Sequence, residues 1–422
     1  AQYFVTELIQ RRLFVRLTAD LAYRLPRVEM RSLEQKLGPD LVNRFFDVVT
    51  VQKSGSLLLL DGINLVLGAF FGLLILGFYH PFLLLFAFVL LAYLVIVLVP
   101  LGKGAVETSI EESYAKHDAA SWLEQVALFP YLFKTNNACE LAERRADELA
   151  HGYLDARRRH WRVVFRQIVS LLGLQAIASA ALLGLGGFLV LNAELTLGQL
   201  VAAEIIVSAI VANLASLGKH MEAFYDALAA VDKIGYVVDL PIERSGGERT
   251  DWTPGSPQEI SVEGLRFGYD DTRPVFERVT FLIEPGERVA LVGPKGSGTS
   301  TLMNILVGAH VPQAGAAKVG GIDVRDWDLH ALRRGVALVR GQEIVEGTVL
   351  ENIRVGRDEI TRQQVRDALR DVGLLDDIVR LPDGLDAELM FGGRPLSDSQ
   401  RSRLVLARAI VGKPGILLLD EH

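Results

Sequence analysis

The chain has 422 residues, 50% of them hydrophobic, a formal net charge of −7 and a mean hydropathy of +0.28. It is too apolar on average for one soluble domain, and its acidic balance disfavours nonspecific nucleic-acid binding. A single cysteine, Cys139, excludes an intrachain disulfide and indicates no cysteine-based metal site.

Residues 1–53 are polar and helical in pattern, with Leu13, Val15, Leu17, Leu21 and Leu25 set among basic residues. Two near-continuous apolar runs follow, 57–79 and 82–101, joined only by His80 and Pro81; later come 168–191 and 197–217. Each is about the ~20 residues a spanning helix needs, so four membrane helices are predicted. A signal peptide would be a single shorter run near the N-terminus, which this is not. Lys and Arg crowd the segment before the first run and the charged helical segment 102–162, whereas the connections around His80 and at 192–196 carry none. The positive-inside bias then places the basic segments and everything after 217 in the cytoplasm. Cys139 lies in such a segment, as suits a reducing compartment. The basic helical segments read either as solvated surface helices or as stalks touching another domain. Asp61, Asn64 and Glu204 fall inside apolar runs, where an ionisable group faces a cavity or a partner. Asp61 lies near an interface; Glu204 reads as a pathway residue or as packing polarity.

After a helix at 219–240, residues 241–257 read as a linker, clearest in the Gly, Ser and Pro of 245–257. From 258 to 422 short β-rich runs alternate with helices, the texture of an α/β domain. The predicted domains are thus 1–240, the linker and 258–422.

Residues 293–301 read Gly-Pro-Lys-Gly-Ser-Gly-Thr-Ser-Thr, between the apolar run 288–292 and an apolar-periodic stretch. Strand, glycine loop and helix is the layout of a phosphate cradle, in which bare backbone N–H groups face the anion. Gly293, Gly296 and Gly298 permit the tight turn around Ser297. Ser300 offers a hydroxyl to Mg²⁺ and Thr301 a further polar contact. Thr299 stands where the pattern wants lysine. Residues 415–421 form an apolar strand ending in Asp420 and Glu421: the aspartate suits magnesium, the glutamate an attacking water, and both motifs meet at the strands' C-terminal edge.

Leu396, Ser397, Asp398, Ser399 and Gln400 precede a strong helical segment, with Ser397 lying 23 residues before Asp420. Here the chain resembles the ATP-binding cassette (ABC) family, whose signature reads Leu-Ser-Gly-Gly-Gln. Tyr269, 24 residues before Gly293, sits where that family stacks an aromatic on adenine. Gly347, Thr348 and 351–353 resemble the stretch after its Q-loop, and 195–199 the turn into an exporter's last membrane helix. The resemblance implies an all-α transmembrane domain of the ABC exporter type followed by an α/β P-loop NTPase domain.

It further implies ATP and Mg²⁺ as cofactors, Glu421 as catalytic residue, and Ser300, Asp420 and Gln342 as magnesium contacts. Partners would be a second half-transporter (the same chain or another), membrane lipid and an unidentified transported substrate; no nucleic acid is expected. The family's six membrane helices per half make this sequence look truncated at both ends. His422 follows Glu421 too closely to be the family's switch histidine. The implied function is ATP-dependent export as one half of a dimer, in a membrane of bacterial inner type with the nucleotide domain cytoplasmic. Four departures bear on this: Thr299 for lysine, Asp398 and Ser399 for two glycines, the poor fit of Gln342 to the Q-loop, and the end at His422. They leave open a hydrolysis-impaired half of a heterodimer, or a nucleotide-gated channel or regulator.

Overall fold

The computed structural model describes residues 2–34, 44–79, 81–215, 217–270 and 273–420. It divides into two compact units that part between Pro241 and Ile242, residues 29–31 grouping with the second. The first is all helix and the second α/β, as the sequence predicts.

In the first unit, helix Gln2–Arg24 is followed by the short helix Met30–Glu34, then by Asp47–Leu57, a π-helical turn at Leu58–Gly62, and Ile63–Tyr79. Pro81–Leu98 opens on proline, whose missing N–H is no loss at a helix start. The turn predicted around His80 lies outside the described residues. Helix Cys139–Leu191 runs unbroken for 53 residues, about 80 Å at 1.5 Å per residue. Its buried positions 156, 160, 164, 167, 171, 174, 178, 182, 186 and 189 recur every three or four residues, one stripe of a 3.6-residue helix. No residue before 156 is buried, which matches the charged first third. Arg44–Gly72, Pro81–Leu98 and Cys139–Leu191 are long and apolar enough to cross a membrane. The fourth apolar run forms helix Leu197–Ala215, with the shorter apolar stretch Leu197–Ala209.

Small residues and polar contacts set how these helices meet. Gly186 faces Leu200 so closely that a Cβ would come within 2.3 Å of its Cδ1, so glycine admits the neighbouring helix. Helix Ala105–Leu128 is tied to Cys139–Leu191 by Thr108 Oγ1 at 3.1 Å from His160 Nδ1, and by Arg157 donating to Glu112 at 3.0 Å. Lys233, in helix Leu217–Val238, is wholly buried and donates to Asp47 Oδ1 at 2.7 Å; His117 Nε2 lies 3.4 Å from Oδ2 of the same aspartate. Asp61 has His220 Nε2 at 3.6 Å, and Glu204 Oε1 accepts from Ser208 one turn on at 3.4 Å.

In the second unit, β1 (Ile260–Phe267), β2 (Phe276–Ile283), β3 (Ala314–Val319) and β4 (Ile322–Asp323) form an antiparallel sheet in the order β2-β1-β3-β4. β5 (Val336–Arg340) pairs in parallel with β8 (Ile416–Asp420), and β6 (Gly347–Thr348) pairs antiparallel with β7 (Glu388–Leu389). One apolar cluster joins the four-stranded sheet to helix Thr299–Leu306 and the base of β5 and β8; a second packs helices Val349–Arg354, Arg362–Asp371 and Asp398–Ile410.

Two expectations change here. The run 288–292 is no strand: after a turn closed by Glu287 N–H to Glu284 O at 3.1 Å, it joins no ladder, and Val292 is 92% exposed. Alternation of apolar residues signals a side chain's preference, and a strand also needs a backbone partner. Residues 242–257, read as linker from their Gly, Ser and Pro, are bound onto the second unit. Gly255 N–H donates to Lys413 O at 2.8 Å and Glu248 N–H to Asp326 O at 2.9 Å. Trp252 packs on Trp327 with ring centroids 5.5 Å apart, in a slot opened by Gly335 and Gly415.

Candidate nucleotide site

The glycine loop bends as the sequence expects. Gly296 (φ +85°) and Gly298 (φ +90°) occupy the left-handed region, and a Cβ on Gly298 would collide with Val275 and Phe276. Ser297 N–H closes the turn onto Pro294 O at 3.0 Å. Gly298 is the N-cap of helix Thr299–Leu306, so Thr299, Ser300 and Thr301 form its first turn, where unsatisfied N–H groups and the helix dipole favour an anion. Gly293 leaves room for Ser297, whose Oγ would lie 2.6 Å from any Cβ there. Thr299 presents no cation to a phosphate. Lys295, on the other side of the turn, is exposed.

Tyr269 stands beside this turn. Its hydroxyl lies 3.0 Å from Thr301 Oγ1, and its ring meets Phe267 and His310 edge-on at 5.3 and 5.4 Å. An aromatic face anchored by its own hydroxyl and partly open is what a base needs for stacking.

Below the loop, parallel pairing of β5 with β8 places Arg340 opposite Asp420. Ser300 Oγ donates to Asp420 Oδ1 at 2.9 Å. Arg340 Nε donates to Asp420 Oδ2 at 2.7 Å, and its Nη2 reaches Ser300 O at 3.2 Å. The two magnesium contacts named from the sequence are thus brought together, and so is an arginine that was not named. The sequence shows a basic residue ending one apolar run and an acidic residue ending another, but only the parallel register brings them together. The third contact is not brought there. Gln342 Nε2 instead donates to Asp398 O and Ser402 Oγ, both at 3.1 Å, because the Gly341 turn carries it past the strand end toward the neighbouring helix.

The signature residues form the start of helix Asp398–Ile410. Ser397 is its N-cap, with Oγ accepting Gln400 N–H at 3.4 Å while Gln400 Oε1 accepts Ser397 N–H at 2.9 Å, a reciprocal capping box. Leu396 is buried beneath the cap. Arg401 neutralises Asp398, and Arg403 donates to Ser399 Oγ at 3.3 Å. The anionic side chain in the signature is therefore paired within its own helix. A second capping box, Thr348 with Glu351, starts helix Val349–Arg354; the Thr348 backbone N–H donating to the Glu351 carboxylate holds that group below the usual range. Glu421 and His422 lie outside the described residues.

The donor set tests poorly against magnesium. Both oxygens of Asp420 are engaged, one by a guanidinium, so a divalent ion would meet a like charge.

Residues 276–422 match the family model described as "ABC transporter". The chain is 36% identical over 233 residues to an ATP-dependent lipid A-core flippase of Burkholderia orbicola, covering 54% of this chain and 39% of that protein. It is 30% identical over 246 residues to the mycobactin import ATP-binding/permease protein IrtB of Mycolicibacterium smegmatis, covering 58% and 42%. It is 29% identical over 254 residues to the alpha-hemolysin translocation ATP-binding protein HlyB of Escherichia coli O157:H7, covering 59% and 36%. The chain thus spans about two fifths of the length of these relatives. In fold it resembles a bacterial Atm1-family ABC exporter with ATP bound, with a TM-score of 0.85 at 22% identity over 99% of this chain and 74% of that one.

Proposed function

We propose that the chain, whose residues 276–422 match the ABC transporter family model and whose fold resembles that of an ABC exporter, is a helical membrane domain fused to a nucleotide-binding domain and works as one half of a dimeric, ATP-dependent exporter. The observation that carries the reading is the junction of three motifs far apart in sequence. The glycine loop caps the helix bearing Ser300, Ser300 bonds to Asp420 at the end of β8, and Tyr269 docks on Thr301. In this proposal the loop and the first helical turn hold the phosphates, Tyr269 stacks on the base, and Ser397 on its capped helix faces the nucleotide of the second half. Glu421 is assigned to the attacking water. Magnesium accompanies ATP in solution.

The membrane is proposed to be of bacterial inner type with the nucleotide domain cytoplasmic, supported by the Lys- and Arg-rich segments beside the apolar runs. The relatives are named for lipid A-core, mycobactin and alpha-hemolysin, so their names assign no cargo to this chain.

A second reading is favoured by particular residues. Thr299 offers no ammonium and Arg340 occupies Asp420, so this chain's own loop holds nucleotide better than it hydrolyses it, and a competent partner does most of the turnover. Calorimetry of the full chain in lipid nanodiscs should show ATP binding; no ATP affinity, alone or with a second half-transporter, overturns the proposal. ATPase assays with and without that second half then separate the readings. Turnover by this chain alone supports the first, and turnover only in the mixed dimer supports the second.

A further inference from the structure

We infer that Arg340 is the resident cation of this nucleotide site, holding Asp420 and Ser300 where a divalent ion would otherwise be recruited, so that the chain binds ATP without requiring magnesium. The inference rests on the nucleotide reading above and adds to it the ionic form of the ligand.

The geometry is specific. Arg340 ends β5 in register with Asp420, and its guanidinium bridges the aspartate side chain and the Ser300 carbonyl at the first turn of the loop helix. It therefore ties together the two elements that a metal would tie together. Asp420 is buried, and with Ser300 on one oxygen and Arg340 on the other its charge is neutralised within the protein. A divalent ion entering here would have to displace a charge-assisted hydrogen bond and then remain beside a fixed positive charge. Arginine stays charged at any working pH and has five N–H donors, of which these contacts use two. About a third of the side chain (34%) remains exposed, so further donors can reach a phosphate oxygen. That donation offsets in part the ammonium missing at Thr299.

The test compares wild-type chain with Arg340→Gln and Arg340→Lys in nanodiscs, titrating ATP by calorimetry in millimolar Mg²⁺ or in EDTA. Wild type should bind with affinities within about twofold in the two media. Arg340→Gln should bind at least about tenfold more weakly in EDTA than in Mg²⁺, a difference of about 1.4 kcal/mol. Arg340→Lys, which keeps the charge, should stay close to wild type. A wild type that loses tenfold in EDTA, or an Arg340→Gln indifferent to the medium, overturns the inference. Thermal melts without nucleotide give a separate readout. Mg²⁺ should raise the melting temperature of Arg340→Gln and leave wild type unchanged; equal shifts, or none in the variant, also overturn it. Absence of ATP binding by every protein instead sinks the nucleotide proposal, and the melts still decide whether arginine and metal compete for Asp420.

Discussion

Two aspartates in this chain are equally buried, each 5% exposed, and each is held by a cation 2.7 Å away, yet they do different things. Asp47 meets Lys233, an ammonium closed among helices at 1% exposure, with His117 as its second neighbour. Burial pushes the Lys233 ammonium below its ordinary pKa against the opposing pull of Asp47. Asp420 meets Arg340 at the ends of two parallel strands, beneath a glycine loop, with part of the guanidinium open. A closed pair can only hold helices in place. An open one can answer to a ligand. What separates structure from function here is access, since burial of the carboxylate and its ion-pair distance are the same.

The largest effect expected from breaking this comparison is at the closed pair. Lys233→Met leaves Asp47 charged with only His117 beside it, at a cost of about 3–5 kcal/mol. The double variant Asp47→Leu with Lys233→Met should recover most of it, because an apolar pair of similar size needs no desolvation of charge. Thermal unfolding of the detergent-solubilised chain measures both, and a single variant as stable as wild type would show that the pair carries no structural weight.

Next in size is Thr299→Lys, which restores a donor aimed at the phosphates and should raise ATP affinity or turnover, the latter by on the order of 10²-fold. Unchanged affinity together with unchanged turnover would mean that Arg340 already supplies what the lysine would.

The remaining tests sharpen the contrast by probing positions away from either aspartate. Gly335→Ala places a methyl about where the Trp252 ring stands, since a Cβ would lie 1.9 Å from its Cε2. Overpacking of that kind costs about 1–3 kcal/mol and should free the segment 242–257 to proteolysis. Limited digestion that cuts wild type and variant at the same rate would argue against the docked segment. Smallest is Ser397→Ala, which removes an N-cap worth about 1 kcal/mol to helix Asp398–Ile410. If the serine also meets nucleotide from the second half, dimer ATPase should fall further than this loss of stability explains, and a proportionate fall would confine Ser397 to capping.

Much of this was legible in the chain because it depends on near neighbours. The stripe on Cys139–Leu191 follows from helical periodicity, and the loop at 293–301 from glycines that alone tolerate its backbone. The capping box at 397–400 follows from a serine three residues before a glutamine. Trp252 misled, since its segment has the composition of a linker and the residues that hold it, Trp327, Gly335 and Gly415, are far along the chain. Run 288–292 misled in the opposite sense, with a strand's pattern and no ladder partner. Gln342 was assigned to the metal contacts by the resemblance despite its poor fit to the Q-loop, and the turn at Gly341 sends it toward the neighbouring helix instead.

Sequence alone determined the two-unit character, the apolar helices, the glycine loop and the resemblance to ABC transporters, since length, periodicity and spacing are properties of a linear string. Only the tertiary structure decided which charges meet. Asp47 is 186 residues from Lys233, and Arg340 is 80 from Asp420. Such pairs form when packing and strand register bring distant side chains within hydrogen-bond reach, and because a charge–charge interaction depends on separation and on surrounding water, no local pattern encodes it.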